Sequence, residues 1–213
     1  DPYPNPCPNG TYGDKPGLGR VEECQLCPEG SYCYQEGKKP AGIPHPGFYC
    51  VHGSAHPVPC PEGTYSNRDR LSSESECRPC EAGQFCAGVG LLNTSGFCQK
   101  GYFCPGNTSS STPSNGLCPA GSFCPAGSGQ PSLCPPGTYS SQTGLTEVDQ
   151  CLPCPPGMYC DGHEGHTPSG PCKPGYYCPL GSTTSIHHEV MEGFFSTEGA
   201  FRQESCQPGT FQP

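Results

Sequence analysis

Apolar positions in this chain never settle into a period that a helix could use. They arrive singly or in pairs between Gly, Pro, Ser and Thr, and Gly plus Pro make up about 28% of the 213 residues. A chain this rich in helix breakers cannot hold 3.6-residue periodicity over ten positions. The pattern predicts short strands instead, such as those around Thr64–Tyr65 and Thr138–Tyr139, paired in small hairpins with almost no helix. Residues 1–6 carry Pro at every second position and read as an extended lead-in segment, because Pro fixes φ and biases the residue before it away from the helical region.

A repeat underlies this punctuation. Cys134, Cys151, Cys154 and Cys160 stand at relative positions 0, 17, 20 and 26, and the same spacing recurs from Cys60 and from Cys7. A fourth copy opens at Cys206. Within each copy runs a seven-residue phrase, Cys-x-x-Gly-x-(Phe/Tyr)-Cys, at Cys27–Cys33, Cys80–Cys86, Cys98–Cys104, Cys118–Cys124, Cys154–Cys160 and Cys172–Cys178. A seventh example, Pro44 to Cys50, has Pro where the first Cys belongs. Gly at the fourth position suits a turn that needs positive φ. Fourteen of the twenty Tyr and Phe fall in these phrases or in the related Cys-Pro-x-Gly-Thr-Tyr openings, so aromatics are expected to act as local lids over sulfur. The copies divide the chain into the lead-in 1–6, unit one at 7–59, unit two at 60–133 with an extra module at 118–124, unit three at 134–205 with a Cys-free tail at 179–205, and the start of a fourth unit at 206–213. The expected architecture is a small disulfide-rich fold, an elongated tandem array of cysteine-rich modules in which each contacts its neighbours.

Composition explains why cysteine carries this role. Leu, Ile, Val and Phe number only 27, about 13% of the chain, below the level at which a chain ordinarily folds around an apolar core. Twenty Cys compensate and place the chain in an oxidising, extracellular setting, as a secreted protein or an ectodomain. No stretch approaches the length of a membrane span. The chain opens at Asp1 without an apolar signal region, so a secretion signal is expected to have been removed or to lie outside it. Net charge is −9, with ten scattered Lys and Arg, which argues against nucleic acid as a partner.

Cysteine pairing stays open among alternatives. The first choice joins each opening Cys to the one seventeen residues later, giving Cys7–Cys24, Cys60–Cys77 and Cys134–Cys151. Each phrase then closes on itself, giving Cys27–Cys33, Cys80–Cys86, Cys98–Cys104, Cys118–Cys124, Cys154–Cys160 and Cys172–Cys178. A second scheme crosses neighbouring phrases, for example Cys154–Cys172 and Cys160–Cys178, and a third closes each Cys-x-x-Cys into its own ring. Self-closure leaves Cys50 and Cys206 without partners, which makes them candidates for a disulfide between chains. The plainer reading leaves Cys50 free and finds the partner of Cys206 outside the sequence.

Other chemistry is sparse. The Cys-x-x-Cys pairs lie more than fifty residues apart within motifs full of further Cys, which favours disulfide over zinc. No βαβ pattern supports a thioredoxin-like use. His52 with His56, His163 with His166, and His187–His188 lie in Gly/Pro loops and read as solvated surface, and Asp161 and Glu164 lack the spacing of a calcium loop. No nucleophile elbow or phosphate-cradling loop is present, so neither catalysis nor a cofactor is expected. Asn9, Asn93 and Asn107 each open an N-glycosylation triplet, and Thr108, Ser109, Ser110, Ser111, Thr112 and Ser114 form a short tract suited to O-glycosylation. The tail residues Ile186, Val190, Met191, Phe194, Phe195 and Phe201 either fold back over unit three or form an interface with another chain.

The phrase Cys-Pro-x-Gly-Thr-Tyr, followed by Cys-x-x-Cys-Pro-x-Gly-x-Tyr, resembles the ephrin-receptor-like cysteine-rich repeats and, more distantly, the tumour-necrosis-factor-receptor cysteine-rich modules. The resemblance covers roughly residues 7–178 and 206–211. It implies disulfide-bonded, mostly helix-free extracellular modules, of the kind found in receptor ectodomains, adhesion proteins and matrix proteins. It transfers no ligand-binding residue, since every matched position belongs to the framework. The expected function is therefore structural: a disulfide-stapled extracellular glycoprotein rod that spaces other domains or assembles with itself into a filament or matrix. The alternative is a receptor or adhesion ectodomain that binds another extracellular protein.

Overall fold

The computed structural model describes residues 6–34, 39–207 and 209. Most of the lead-in segment, residues 35–38 of the loose loop that precedes Pro44, and most of the fourth unit past Gln207 lie outside the described residues. Among the described residues there is no α-helix. Secondary structure consists of two-residue strands in nine antiparallel pairs, together with three single 3₁₀ turns at Val21–Glu23, Glu74–Glu76 and Val148–Gln150.

Each hairpin has one origin in the sequence. The fifth and sixth residues of a phrase extend after the glycine turn and pair with the two residues that precede the next phrase. Thus Met158–Tyr159 pairs with Gly170–Pro171, just ahead of Cys172, and Thr64–Tyr65 pairs with Arg78–Pro79, just ahead of Cys80. Single bridges at Tyr32 with Gly42 and Tyr102 with Leu117 repeat the arrangement where the pairing is shorter.

Sulfur fills the interior. Among the described residues classed as buried apolar, only Leu71 and Leu145 accompany the cysteines, and each packs on one long-loop disulfide. Leu71 joins Cys60 and Cys77 under Tyr49, and Leu145 joins Cys134 and Cys151 under Phe123. Both aromatic residues come from the preceding phrase, so a lid covers the sulfur of the next module. Leu26, Phe97, Leu133 and Leu152 remain exposed, since modules this small lack the area to cover them.

Consecutive phrases are joined by up to four backbone hydrogen bonds. The Gly157 amide donates to the Cys178 carbonyl at 2.8 Å, and the Gly157 carbonyl accepts from the Cys172 amide at 3.0 Å. The Gly181 amide donates to the Cys154 carbonyl at 2.8 Å, and the Cys160 amide donates to the Ser182 carbonyl at 2.9 Å. The junction at Gly63 repeats them, through Cys86, Cys80, Gly90 with Cys60, and Ser66 with Leu91. At roughly 1 kcal/mol net per bond, such a junction holds two modules together without any shared apolar core.

The chain divides into two compact units, one of residues 1–97 with 104–111 and the other of residues 98–103 with 112–213. The same junction bonds recur inside each.

The fourth-position glycine is needed for two separable reasons. Gly157 has φ +85, and a Cβ there would run into the carbonyl oxygen of Gly199. Gly175 has φ +82 but nothing within 4 Å of where a Cβ would sit. Gly175→Ala should therefore cost only the left-handed strain, about 1 kcal/mol, whereas Gly157→Ala should cost about 3 kcal/mol. Denaturant melts of the two variants with disulfides intact check this; equal losses would show that the junction tolerates the added methyl group.

Candidate functional site

The repeated phrase is the candidate site, and its chemistry begins with the disulfides. Cys7–Cys24, Cys60–Cys77 and Cys134–Cys151 close loops with a separation of 17. Cys27–Cys33, Cys80–Cys86, Cys118–Cys124, Cys154–Cys160 and Cys172–Cys178 close phrases with a separation of 6. Cys98 and Cys104 are disulfide-bonded as well. Cα atoms of the short pairs stand 5.8–5.9 Å apart, within the usual range for a disulfide, because the glycine turn folds the phrase back on itself.

Which bond an opening Cys makes depends on the seventh position of its phrase. Gly13, Ser66 and Ser140 stand where the short phrases have Cys, so Cys7, Cys60 and Cys134 reach on to Cys24, Cys77 and Cys151. A 3₁₀ turn immediately precedes each distal partner, and its last residue clasps the chain before the turn. Glu23 accepts from the amides of Gly19 and Arg20, Glu76 from the amides of Ser72 and Ser73, and Gln150 from the amides of Thr146 and Glu147. This is the side-chain half of a capping box, used to aim a cysteine.

Two thiols are free among the described residues, Cys50 and Cys206. Cys50 has no exposed surface, and its burial pushes the thiol pKa up, so it is held as the neutral, unreactive form. Its phrase opens with the fully buried Pro44 in place of a partner. Cys206 is half-buried, with its amide on the Gly193 carbonyl at 2.9 Å. A bond from Cys50 to a second chain would require this phrase to open; Cys206 needs no comparable rearrangement.

Asn9, Asn93 and Asn107 are all exposed. Asn107 takes a left-handed conformation with φ +50, and its amide donates to the Cys80 carbonyl at 2.9 Å, a bond that glycines such as Gly90 and Gly181 make at other junctions. Asn is among the non-glycine residues that best tolerate this conformation, so a framework position here also begins a glycosylation triplet. In the tract that follows, Ser109, Ser110, Thr112 and Ser114 are exposed and Thr108 and Ser111 half-buried.

The tail contains a feature that the cysteine count missed. Residues 190–196 form another phrase, with Val190 and Ser196 in the two cysteine positions and Gly193 at φ +81. Val190 donates to Gly175, Gly175 to Ser196, Gly199 to Cys172 and Cys178 to the Ala200 carbonyl, which are the four junction bonds. Phe194–Phe195 pairs with Glu204–Ser205. The usable signal was Gly193 followed by two aromatics, eighteen residues after Gly175. Ile186, Met191, Phe194 and Phe201 are exposed, Val190 and Phe195 half-buried, and Arg202 lies 5.3 Å from the Phe201 ring centre.

The histidines are on the surface. His52, His56, His163, His166, His187 and His188 are all exposed. His166 lies 3.8 Å from the Glu164 carboxylate, and His188 rests against Tyr177 with ring centres 5.2 Å apart. Asp161 accepts from the His163 amide and the Ser169 hydroxyl, which lower its pKa. Among the described residues no three His, Cys, Asp or Glu converge as metal ligands, and no helix is long and apolar enough to cross a membrane.

No protein-family model matches the chain, and no curated protein matches it closely enough to count as a relative.

Two outcomes are expected. Alkylation of the folded 213-residue chain should label Cys206 and leave Cys50 unmodified until denaturant is added; native labelling of both would show that Cys50 is accessible. The second concerns acid. The Ser72 amide and hydroxyl hold the Glu76 carboxyl below its usual range, so its stabilisation is present above the unfolded pKa and lost as pH falls through the lower folded one. Gln150 makes matching bonds to Thr146 and Glu147 with no titratable group. Glu76→Gln should therefore lose less melting temperature than the wild type between pH 7 and pH 3.

Proposed function

We propose that the chain is a structural extracellular glycoprotein of ephrin-receptor-like character, a spacer or self-assembling matrix component whose repeated phrase sets the distance and rigidity between neighbouring parts. The observation that carries this reading is the junction itself. The same backbone bonds join phrase to phrase whether the phrase is closed by a disulfide, as at Cys172–Cys178, or lacks cysteine, as at Val190 to Ser196. An arrangement repeated with so few residue-specific contacts serves geometry, and modules can be added one at a time. The exposed Asn9, Asn93 and Asn107 are consistent with a glycosylated surface, and the density of disulfides with an oxidising compartment. The competing reading, an ectodomain that binds another extracellular protein, has in its favour the exposed apolar side chains Ile186, Met191, Phe194 and Phe201.

Electron micrographs of the glycosylated protein, together with non-reducing electrophoresis, separate the two readings. Self-assembly predicts filaments or networks, with a ladder that collapses on reduction where the contact is covalent through Cys206. Replacing Phe194 and Phe195 by Ser should abolish assembly if the tail forms the contact. A protein that stays monomeric at all concentrations and binds a soluble extracellular partner would overturn the assembly reading. Enzymatic removal of N-glycans should lower the mass by up to three glycans, and by one fewer in an Asn107→Gln variant.

A further inference from the structure

An open groove of about 660 Å3 lies within the first compact unit, between residues 43–46 and 67–70. It falls where the repeat departs from its own rule. Pro44 stands in a cysteine position, and Arg70, at φ +57, holds the left-handed place that matching turns assign to Gly17 and Gly144.

The second unit contains the same substructure without these changes. There residues 117–120 meet residues 141–144, and the Gly144 amide donates to the Cys118 carbonyl at 2.7 Å; the corresponding bond from Arg70 to Pro44 is 3.4 Å. Where the second unit has the uncharged Pro119, Gln142 and Gly144, the first has His45, Arg68 and Arg70. An arginine here accepts backbone strain that glycine avoids, and loosens a junction bond. Among the described residues the one ion pair is His166 with Glu164, so neither guanidinium makes a direct ion pair; the nearby Glu76 carboxylate feels the charge of Arg68 but is taken up by the amides of Ser72 and Ser73. Ten Lys and Arg serve a chain with nineteen Asp and Glu, yet two of them flank this one groove.

We propose that the groove binds the carboxylate-bearing end of an acidic saccharide. Two planar guanidinium groups match a carboxylate in the bidentate manner that lysine cannot reproduce. Asn67 and Asp69 border the same groove and supply an amide and an acceptor for ring hydroxyls, while Ile43 and Pro46 offer an apolar face. Asp69 distinguishes this occupant from an acidic peptide, which would bring carboxylates against it without hydroxyls to donate. A net charge of −9 also opposes a long polyanion and leaves a single terminal acid as the better fit.

Calorimetric titration of the folded chain with 3′-sialyllactose, with lactose as the neutral control and with free N-acetylneuraminic acid, tests the proposal. Saturable binding of the sialylated trisaccharide and none of lactose is expected. Arg70→Gly and Arg68→Gln should each weaken it about tenfold. Both variants install residues that the second unit already uses, so their melting temperatures should be unchanged or higher, which separates lost binding from lost folding. Tighter binding of the trisaccharide than of the free acid would identify a glycan end as the natural source; equal binding would identify the acidic monosaccharide alone. The absence of saturable binding by either acid, binding indifferent to both arginine substitutions, or tighter binding of a hexaglutamate peptide would overturn the proposal. The spacer reading stands or falls separately, on assembly and not on this groove.

Discussion

A left-handed glycine at the fourth position of a seven-residue phrase is the constraint on which this protein depends. It folds the phrase back so that its ends reach disulfide distance, and it presents both an amide and a carbonyl to the next phrase. At Gly157 these groups meet Cys178 and Cys172, and the carbonyl of Gly199 comes so close that no side chain fits. Turn, staple and junction thus depend on one residue, whose replacement would disturb all three.

This economy suits a chain that has almost no apolar core. Among the described residues, prolines aside, Leu71 and Leu145 alone join cysteine in the buried apolar set, and each sits on a long-loop disulfide whose closure restricts the unfolded chain by about 3 kcal/mol on an entropic estimate. Stability is therefore local. Most modules are held by their own covalent ring and by up to four hydrogen bonds to the neighbour, and little depends on distant parts of the chain. The phrase at Val190 to Ser196 illustrates the separation of roles: its cysteines are replaced, a hydroxyl of Ser196 bonds the Tyr176 carbonyl at 2.8 Å, and the junction persists.

Departures from the repeat are informative for the same reason. Where the framework leaves so little freedom, a residue that breaks its rule carries a local structural cost. Pro44 removes an amide and a staple and leaves Cys50 sealed as a neutral thiol; Asn107 keeps the left-handed turn and adds a glycosylation triplet; Arg70 keeps the turn and adds a charge beside an open groove. These positions, and not the repeated ones, are where residue-specific functions are to be sought.

Much of the fold was legible before any coordinates. The predominance of short hairpins, the near absence of helix and the disulfide-rich class follow from Gly, Pro and Cys spacing, because a glycine turn and a ring closed over six residues are local events encoded within seven positions. The phrase at Val190 to Ser196 was not legible from cysteine spacing, because the feature that persists there is the glycine with its two aromatics. Nor was the junction. Its partners include Cys178, Ser182, Ser196 and Leu145, which lie 21 or 22 residues beyond the amides they accept from and have nothing in common as side chains. They act through backbone carbonyls, which every residue possesses. The sequence by itself determined the fold class and the phrases that contain cysteine; the way one module holds the next, and the burial of Cys50 that follows from it, were decided only by tertiary structure, because backbone groups carry that interaction and leave no side-chain signature.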